Sequence, residues 1–377
     1  MRTKRMALLA FLPLHLYAEE QYIVYVGTYT KTTSKGIYAF RFHSTTGTLE
    51  PLGLAAEIAN PSFLAVHPNG RTLYAVSESA SAENPRVGTV SAFSVDPLTG
   101  KLNFLNKVSS AGDGPCYVSV DRKGRFVLVA NYGSGAVAVL PIAHDGSLAE
   151  FCSMMQHAGS SVHPKRQLGP HAHSIQASPN NRFVLAADLG LDKLMIYRFD
   201  EKRGTLTPND PAFFSLSPGA GPRHFSFSPD GRFVYVINEI NSTVLACTFD
   251  GHTGTVQPLQ TVSTLPLEEQ IENSTAEIRL HPNGNFLYGS NRGHNSIVVF
   301  RRDKKAGTLS LLEHVPTMGK SPRNFNLDPK GRFLLAANQN SDSIVIFQID
   351  PHSGRLKDTQ QRVEIGMPVC VTFLAKH

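Results

Sequence analysis

Arginine, histidine and glutamate recur in this chain at places where they could grip an anion or move a proton. The segment GPRHFSFSPDGRFVYVINE, residues 221–239, opens on Arg223 and His224 and closes on Glu239. Two imidazoles, His171 and His173, flank an alanine in PHAHS; Glu277 and Arg279 alternate in AEIRL; Arg323 stands in SPRNF. A guanidinium offers a planar fork of donors that fits a carboxylate or phosphate. A histidine or carboxylate can take a proton from water while fixed donors hold a developing oxyanion. The His-x-His pair could begin a zinc site, but spacing supplies no third ligand, so no metal is expected. The sequence contains no G-x-S-x-G elbow, no P-loop and no G-x-G-x-x-G after a strand.

The elements that must position these residues are repeats. SPRNFNLDPKGRFLLAANQ begins at Ser321 and GPCYVSVDRKGRFVLVANY at Gly114, with looser copies at Asn60, Pro170 and Ser274. Their turn anchors, Gly70, Gly124, Asn181, Gly231, Gly284 and Gly331, are spaced by 54, 57, 50, 53 and 47 residues. In each unit an apolar run enters a P-x-G-R-like reversal, where Gly or Asn tolerates positive φ, and a β-branched and aromatic run leaves it. That is a β-hairpin whose strands alternate little, so both faces should be buried. A second turn, as in DEKRGTL at Asp200 and DKKAGTL at Asp303, occurs seven times. Four strands per unit of this length make a propeller blade. The chain opens with YIVYVGTY, a second strand lacking its first, and ends with PVCVTFL, a first strand lacking its second. Pairing them completes a blade and removes the exposed edges. The fold expected is all-β: a seven-bladed β-propeller with four antiparallel strands per blade, closed by N- and C-terminal strands that share one blade. With no tryptophan in the chain, a WD-type propeller is not expected. The weakly patterned stretch 152–169 reads as an inserted loop.

Composition adds limits. With 30 Gly, 24 Pro and 41% apolar residues the chain is globular and rich in turns. Residues 1–18 have a basic head, a short apolar run and a small residue at Ala18, the layout of a secretory signal peptide, leaving 19–377 as the propeller domain. The apolar run is too short to span a membrane. Export to the periplasm or medium is therefore expected, and a cytoplasmic location if the segment stays uncleaved. Removing Arg2, Lys4 and Arg5 lowers the formal charge from +6 to +3, and no basic run interleaved with aromatics suggests nucleic-acid binding. Cys116, Cys247 and Cys370 fall on strands and Cys152 in a loop, so free thiols are expected rather than disulfides.

A hairpin sets the start of its first strand beside the end of its second, and in a propeller those ends crowd one mouth of the central channel. Counting back six residues from each turn proline or its equivalent gives Ser62, Cys116, His173, Arg223, Ala276, Arg323 and Val369. The next residues include His224 and Glu277, and the second strands end in Asn238-Glu239 and Asn291-Arg292. Arg223 and Glu239 should meet at a solvent-filled rim, where substituting them would cost little stability.

In GPHAHSIQASPNNRFV, GAGPRHFSFSPDGRFVYVINE, AEIRLHPNG and SPRNFNLDPKGRF, and across 21–374, the chain resembles the seven-bladed propeller lactonase family. That family includes a bacterial type of 6-phosphogluconolactonase and the fungal 3-carboxy-cis,cis-muconate cyclase. The resemblance implies active-site residues at His173, Arg223 and Glu239, with Arg279 a weaker match. It implies a small anionic lactone as substrate and no cofactor; a monomer is expected. Arg223 and Arg323 would hold the anion and oxyanion, Glu239 or His173 would be the base, and His171, His224, Glu277 and Arg279 would complete the binding site. Phosphogluconolactone is cytosolic, which an exported chain would not meet. A cycloisomerase using the same residues, or a non-enzymatic envelope propeller, are the alternatives; product analysis separates the first, and a broad exposed aromatic face would mark the second.

Overall fold

The structure, a computed structural model, describes residues 20–78, 87–269 and 271–374. They form seven four-stranded antiparallel sheets arranged as blades, and one 3-10 turn, Gln339–Ser341, is the only helix among the described residues. The expected signal segment, 1–18, lies outside them. Blades 1 to 6 begin with inner strands Leu64–Val66, Pro115–Val120, Ala172–Ala177, Pro222–Phe227, Thr275–Leu280 and Pro322–Leu327. Blade 7 is the shared one. Its inner strand, Pro368–Leu374, pairs with Gln21–Thr28, with Ile23 opposite Leu374 and Gly27 opposite Cys370. Gly36–His43 and Leu49–Glu57 complete that sheet.

Second strands such as Phe233–Asn238, Phe126–Asn131 and Phe333–Asn338 are buried at every position, as unalternating apolar runs require. Blades are joined through their turns. The outer-turn glycines Gly307 and Gly354 have φ near +78° and +76°, and a Cβ on either would strike the ring of Phe233 or Phe286 in the preceding blade. The same preceding blades send Tyr235 and Tyr288 hydroxyls to the carbonyls of Gly307 and Gly354, both at 2.9 Å. The repeated glycine of the outer turn is thus a socket for the neighbour's aromatic side chain, and any larger residue would be strained twice.

Two expectations need correction. The stretch 152–169 is not all loop: Ser153–Gln156 is the outer strand of blade 2, paired with Ala136–Pro141, and the insertion starts at His157. This strand has only 4 residues, against 8 to 11 in the outer strands of the other blades, which is why sequence missed it. The site is also not a solvent-filled rim, since Arg223 and Glu239 are only 2% and 4% exposed. All four cysteines are free; Cys152 is exposed and the other three are buried.

One feature of the register positions the chemistry. In blades 2, 3, 4 and 6 the pairing of first and second strands slips after the first residue, so that Cys116, His173, Arg223 and Arg323 each become an extra residue with no cross-strand partner. Blade 7 skips Val369, and blade 5 sets Ala276 and Glu277 against Ser290 alone. These are β-bulges, which bend the strand and re-aim a side chain. The bulge lets consecutive residues, Arg223 and His224, both reach side chains of other blades.

Candidate active site

Three tiers of side chains follow one another along the inner strands. The first is the bulge tier. The second is Phe63, Tyr117, Ser174, His224, Glu277, Asn324 and Cys370, one from each blade and all buried. These touch across the axis: the Phe63 and Tyr117 rings stack at 4.2 Å, and His224 lies 5.6 Å from Phe63, 5.0 Å from Tyr117 and 5.3 Å from His173. His224 Nδ1 is 3.1 Å from Glu277 Oε1, and Asn324 Nδ2 donates to Glu277 Oε2 at 2.5 Å. This tier is a plug. The third tier lies beyond it.

Above the plug is a cleft of about 680 Å³, lined by Arg166, Glu239, Arg292 and Arg323 among others. Glu239 is its hub. Its Oε1 lies 2.5 Å from Arg166 Nη2, and its Oε2 lies 2.9 Å from both Arg223 Nε and Arg292 Nη2. Arg223 Nη1 donates to the Ala276 carbonyl of the next blade at 2.7 Å, and Arg292 Nη2 to the Thr275 carbonyl at 2.9 Å. Arg323 is different. Its guanidinium packs 5.4 Å from the Tyr29 ring, whose hydroxyl donates to Glu78, yet it forms no hydrogen bond or ion pair among the described residues. Arg166, Arg292 and Arg323 line the cleft with the carboxylates of Glu239 and Glu272, and Arg223 is buried against Glu239, which leaves the cleft positive.

The charges set the protonation states. Burial opposes ionisation of Glu239, but the guanidiniums of Arg292, Arg223 and Arg166 outweigh it and hold its carboxyl well below the usual range. Burial, with Arg223 and His224 nearby, pushes His173 well below 6.5. Burial also lowers His224 to about 4, so its ring is neutral. The hydrogen-bond network assigns its tautomer: Nε2 accepts from Arg223 Nη1 at 3.3 Å, and Nδ1–H therefore donates to Glu277. Glu277 is held at about 2 by Arg279 and His224 against its burial. His173 Nδ1 has only the Cys116 sulfur, at 3.6 Å, and its Nε2 has no partner among the described residues.

The sequence-derived residues divide by depth. Arg223, Glu239, His173 and Arg323 gather at or just under the cleft, while His224 and Glu277 form the plug beneath. His171 sits beside the cleft, its ring stacked on Tyr132 at 4.4 Å and its Nδ1 2.9 Å from the Tyr132 carbonyl. Arg279 lies outside the cleft, below the plug, because it follows Glu277 by two residues along the strand. No group of three or more His, Cys, Asp or Glu side chains among the described residues is arranged to hold a metal. No helix of theirs is long and apolar enough to cross a membrane. Two cleft residues were not singled out from sequence. Arg292 follows the strand-end Asn291 as Glu239 follows Asn238, so the repeat carried its signal. Arg166 comes from the insertion after blade 2, and no repeat position announces it.

Comparison with known proteins agrees with this architecture. A family model described as "Lactonase, 7-bladed beta-propeller" matches residues 23–373. A 6-phosphogluconolactonase of Bacillus subtilis is 40% identical over 354 residues, which are 94% of this chain and 99% of the relative. A 6-phosphogluconolactonase of Formosa agariphila is 33% identical, over 80% of this chain and 85% of the relative. Among solved structures, the periplasmic gluconolactonase of Pseudomonas aeruginosa matches with a TM-score of 0.88 at 38% identity, covering 94% of this chain and 99% of that one. The chain belongs to the lactonase family of seven-bladed β-propellers.

Proposed function

We propose that the protein hydrolyses an anionic sugar lactone of the 6-phosphogluconolactone type in the cleft above the plug. The observation that carries this reading is Arg323: a guanidinium lining a positive cleft with no acceptor of its own is a ready donor pair for a phosphate or carboxylate. Arg292 and Arg223 are held in place by Glu239 and supply fixed positive charge where the carbonyl oxygen becomes an oxyanion. His173 is the base. Glu239 has its lone pairs committed to three guanidiniums and its basicity suppressed, whereas His173 is neutral at pH 7 with Nε2 unengaged. Water gives a proton to His173 as its oxygen bonds to the lactone carbonyl carbon. The ring C–O bond then breaks, and the leaving oxygen takes the proton back to give the open-chain acid.

A second reading is favoured by the secretory layout of residues 1–18 together with the periplasmic relative: an exported enzyme acting on unphosphorylated gluconolactone. Acid release from 6-phosphogluconolactone and from gluconolactone, measured on the same preparation, separates the two. The first reading expects kcat/KM at least about tenfold higher for the phosphorylated lactone, because one charge-assisted hydrogen bond contributes on the order of 1.5–3 kcal/mol. Equal rates favour the second, and no acceleration of either refutes both. N-terminal sequencing from native cells tests export: a start near Glu19 is expected, and an intact Met1 counts against it.

A further inference from the structure

Below the plug the channel opens into a chamber of about 210 Å³. Its wall includes Ala65, Ser119, Gln176, Arg279, Asn326 and Thr372, each two residues beyond a plug side chain and each partly exposed. Arg279 is the one charged side chain in that tier. Its polar neighbours spend their donors on the wall: Ser119 on the Ile175 carbonyl at 2.7 Å, Gln176 on the Tyr117 hydroxyl and the Phe225 carbonyl, both at 2.9 Å, and Asn326 on the Val371 carbonyl at 2.9 Å. Arg279 is not so satisfied. Its Nη2 makes a long contact of 3.4 Å with Glu277 Oε2, and its Nε–H is buried without a hydrogen-bond partner. Glu277 has no freedom to close that gap, because His224, Asn324 and the Ile278 amide already hold its two oxygens. Arg122, whose Nη2 donates to the Ala177 carbonyl at 3.2 Å, lines the same chamber and brings a second positive charge. Two cations and an unmatched donor describe a space that lacks an anionic acceptor.

We infer that the chamber is a second anion site, separate from the lactone cleft, which takes a small oxyanion such as inorganic phosphate on Arg279 with Arg122 as a second cation. An oxyanion can accept Nε–H and a neighbouring Nη–H side by side, the pairing that the chamber leaves open. The plug tier, buried in all seven blades, keeps a cleft ligand from reaching it.

Titration with inorganic phosphate, followed by calorimetry and phosphorus NMR, tests this on the full chain. The Arg323→Met background weakens anion binding in the cleft, so that the chamber is read independently of the lactonase reading. That chain should bind phosphate saturably in the low-millimolar range. Adding Arg279→Met should abolish the binding. Adding Arg279→Lys instead keeps a cation beside Glu277 and guards against misfolding, yet should weaken it about tenfold through loss of the forked donor. Absence of saturable binding to the Arg323→Met chain, or affinity unchanged by both Arg279 substitutions, overturns the inference.

Discussion

Glu239→Gln should cost both stability and turnover, although the residue stands at a substrate cleft. Its side chain and that of Arg223 are 5% and 3% exposed, and Arg292 is 15% exposed, so two of its three ion pairs lie where water screens little. The third partner, Arg166, is 39% exposed and contributes little by comparison. Removing one member of a buried ion pair typically costs about 3–5 kcal/mol, because the remaining charge stays uncompensated. Glutamine keeps the shape and one acceptor, which points to the lower end, about 3 kcal/mol. With an unfolding entropy of about 0.7 kcal/mol/K for a chain of this size, the melting temperature should fall by about 4 °C. The pH dependence has a fixed sign. Glu239 is held well below its ordinary 4.5, so its contribution is fully present above that unfolded value and fades as pH falls through the folded one. The gap between wild type and variant should thus be constant from about pH 6 to 8 and narrow in acid. Urea unfolding at several pH values, with lactone hydrolysis on the same samples, measures both. A stability change within about 0.5 kcal/mol at pH 7 would refute the buried hub.

Arg323→Met removes no ion pair and keeps the packing on Tyr29, so unfolding should shift by less than about 1 kcal/mol while KM for a phosphorylated lactone rises about 10–100-fold; unchanged KM would sink Arg323 as the anion's donor. If His173 is the base, the acid limb of kcat/KM should lie well below pH 6.5, since burial, Arg223 and His224 disfavour its cationic form; a limb centred at or above 6.5 assigns the proton transfer elsewhere. Deleting 368–377 strips the inner strand from blade 7 and the burial of Val369, Cys370, Val371 and Leu374. At about 1.5–3 kcal/mol for each large side chain, that rivals the whole stability of a typical domain, so the truncated chain should aggregate or unfold; intact thermal stability would contradict ring closure.

Ring closure was legible because unmatched half-hairpins at the two ends have no other economical pairing. His173, Arg223 and Arg323 were legible by counting, since the position six before the turn proline of their blades is the one the bulge leaves unpaired. The bulge itself was not. Ala172-His173 and Pro222-Arg223 carry no glycine or break in pattern, and only the slipped register reveals why Arg223 and His224 avoid opposite faces. Burial of the ion cluster was also hidden: a polar strand end reads as solvent-facing unless the sequence shows that seven such ends converge and cover one another. Arg279 was drawn to the cleft by its segment's likeness to the family, yet its place two residues beyond Glu277 on the same strand face puts it below the plug.

The same repeat that hides Arg166 in an insertion also explains how that insertion is fixed. Second strands end in Asn131, Asn238, Asn291 and Asn338, but blade 3 ends in Asp188. Asparagine at Asn131, Asn291 and Asn338 donates to a backbone carbonyl of the chain entering the blade, that of Ser110, Thr264 and Thr317. Asp188 has acceptors alone, and it uses them on both ends of the inserted segment. Its Oδ2 lies 2.6 Å from His157 Nδ1 at the start, and its Oδ1 accepts the His171 amide at 2.8 Å at the end, along with the amides of Gly190 and Leu191. His157 Nε2 is in turn 2.8 Å from the Tyr197 hydroxyl, in the third strand of the blade. Between these anchors the chain reaches over the cleft and delivers Arg166 to Glu239. Where the other blades use an asparagine that donates to one carbonyl of the entering chain, aspartate at this repeat position accepts from both ends of the insertion, and that clamp sets the last guanidinium of the hub.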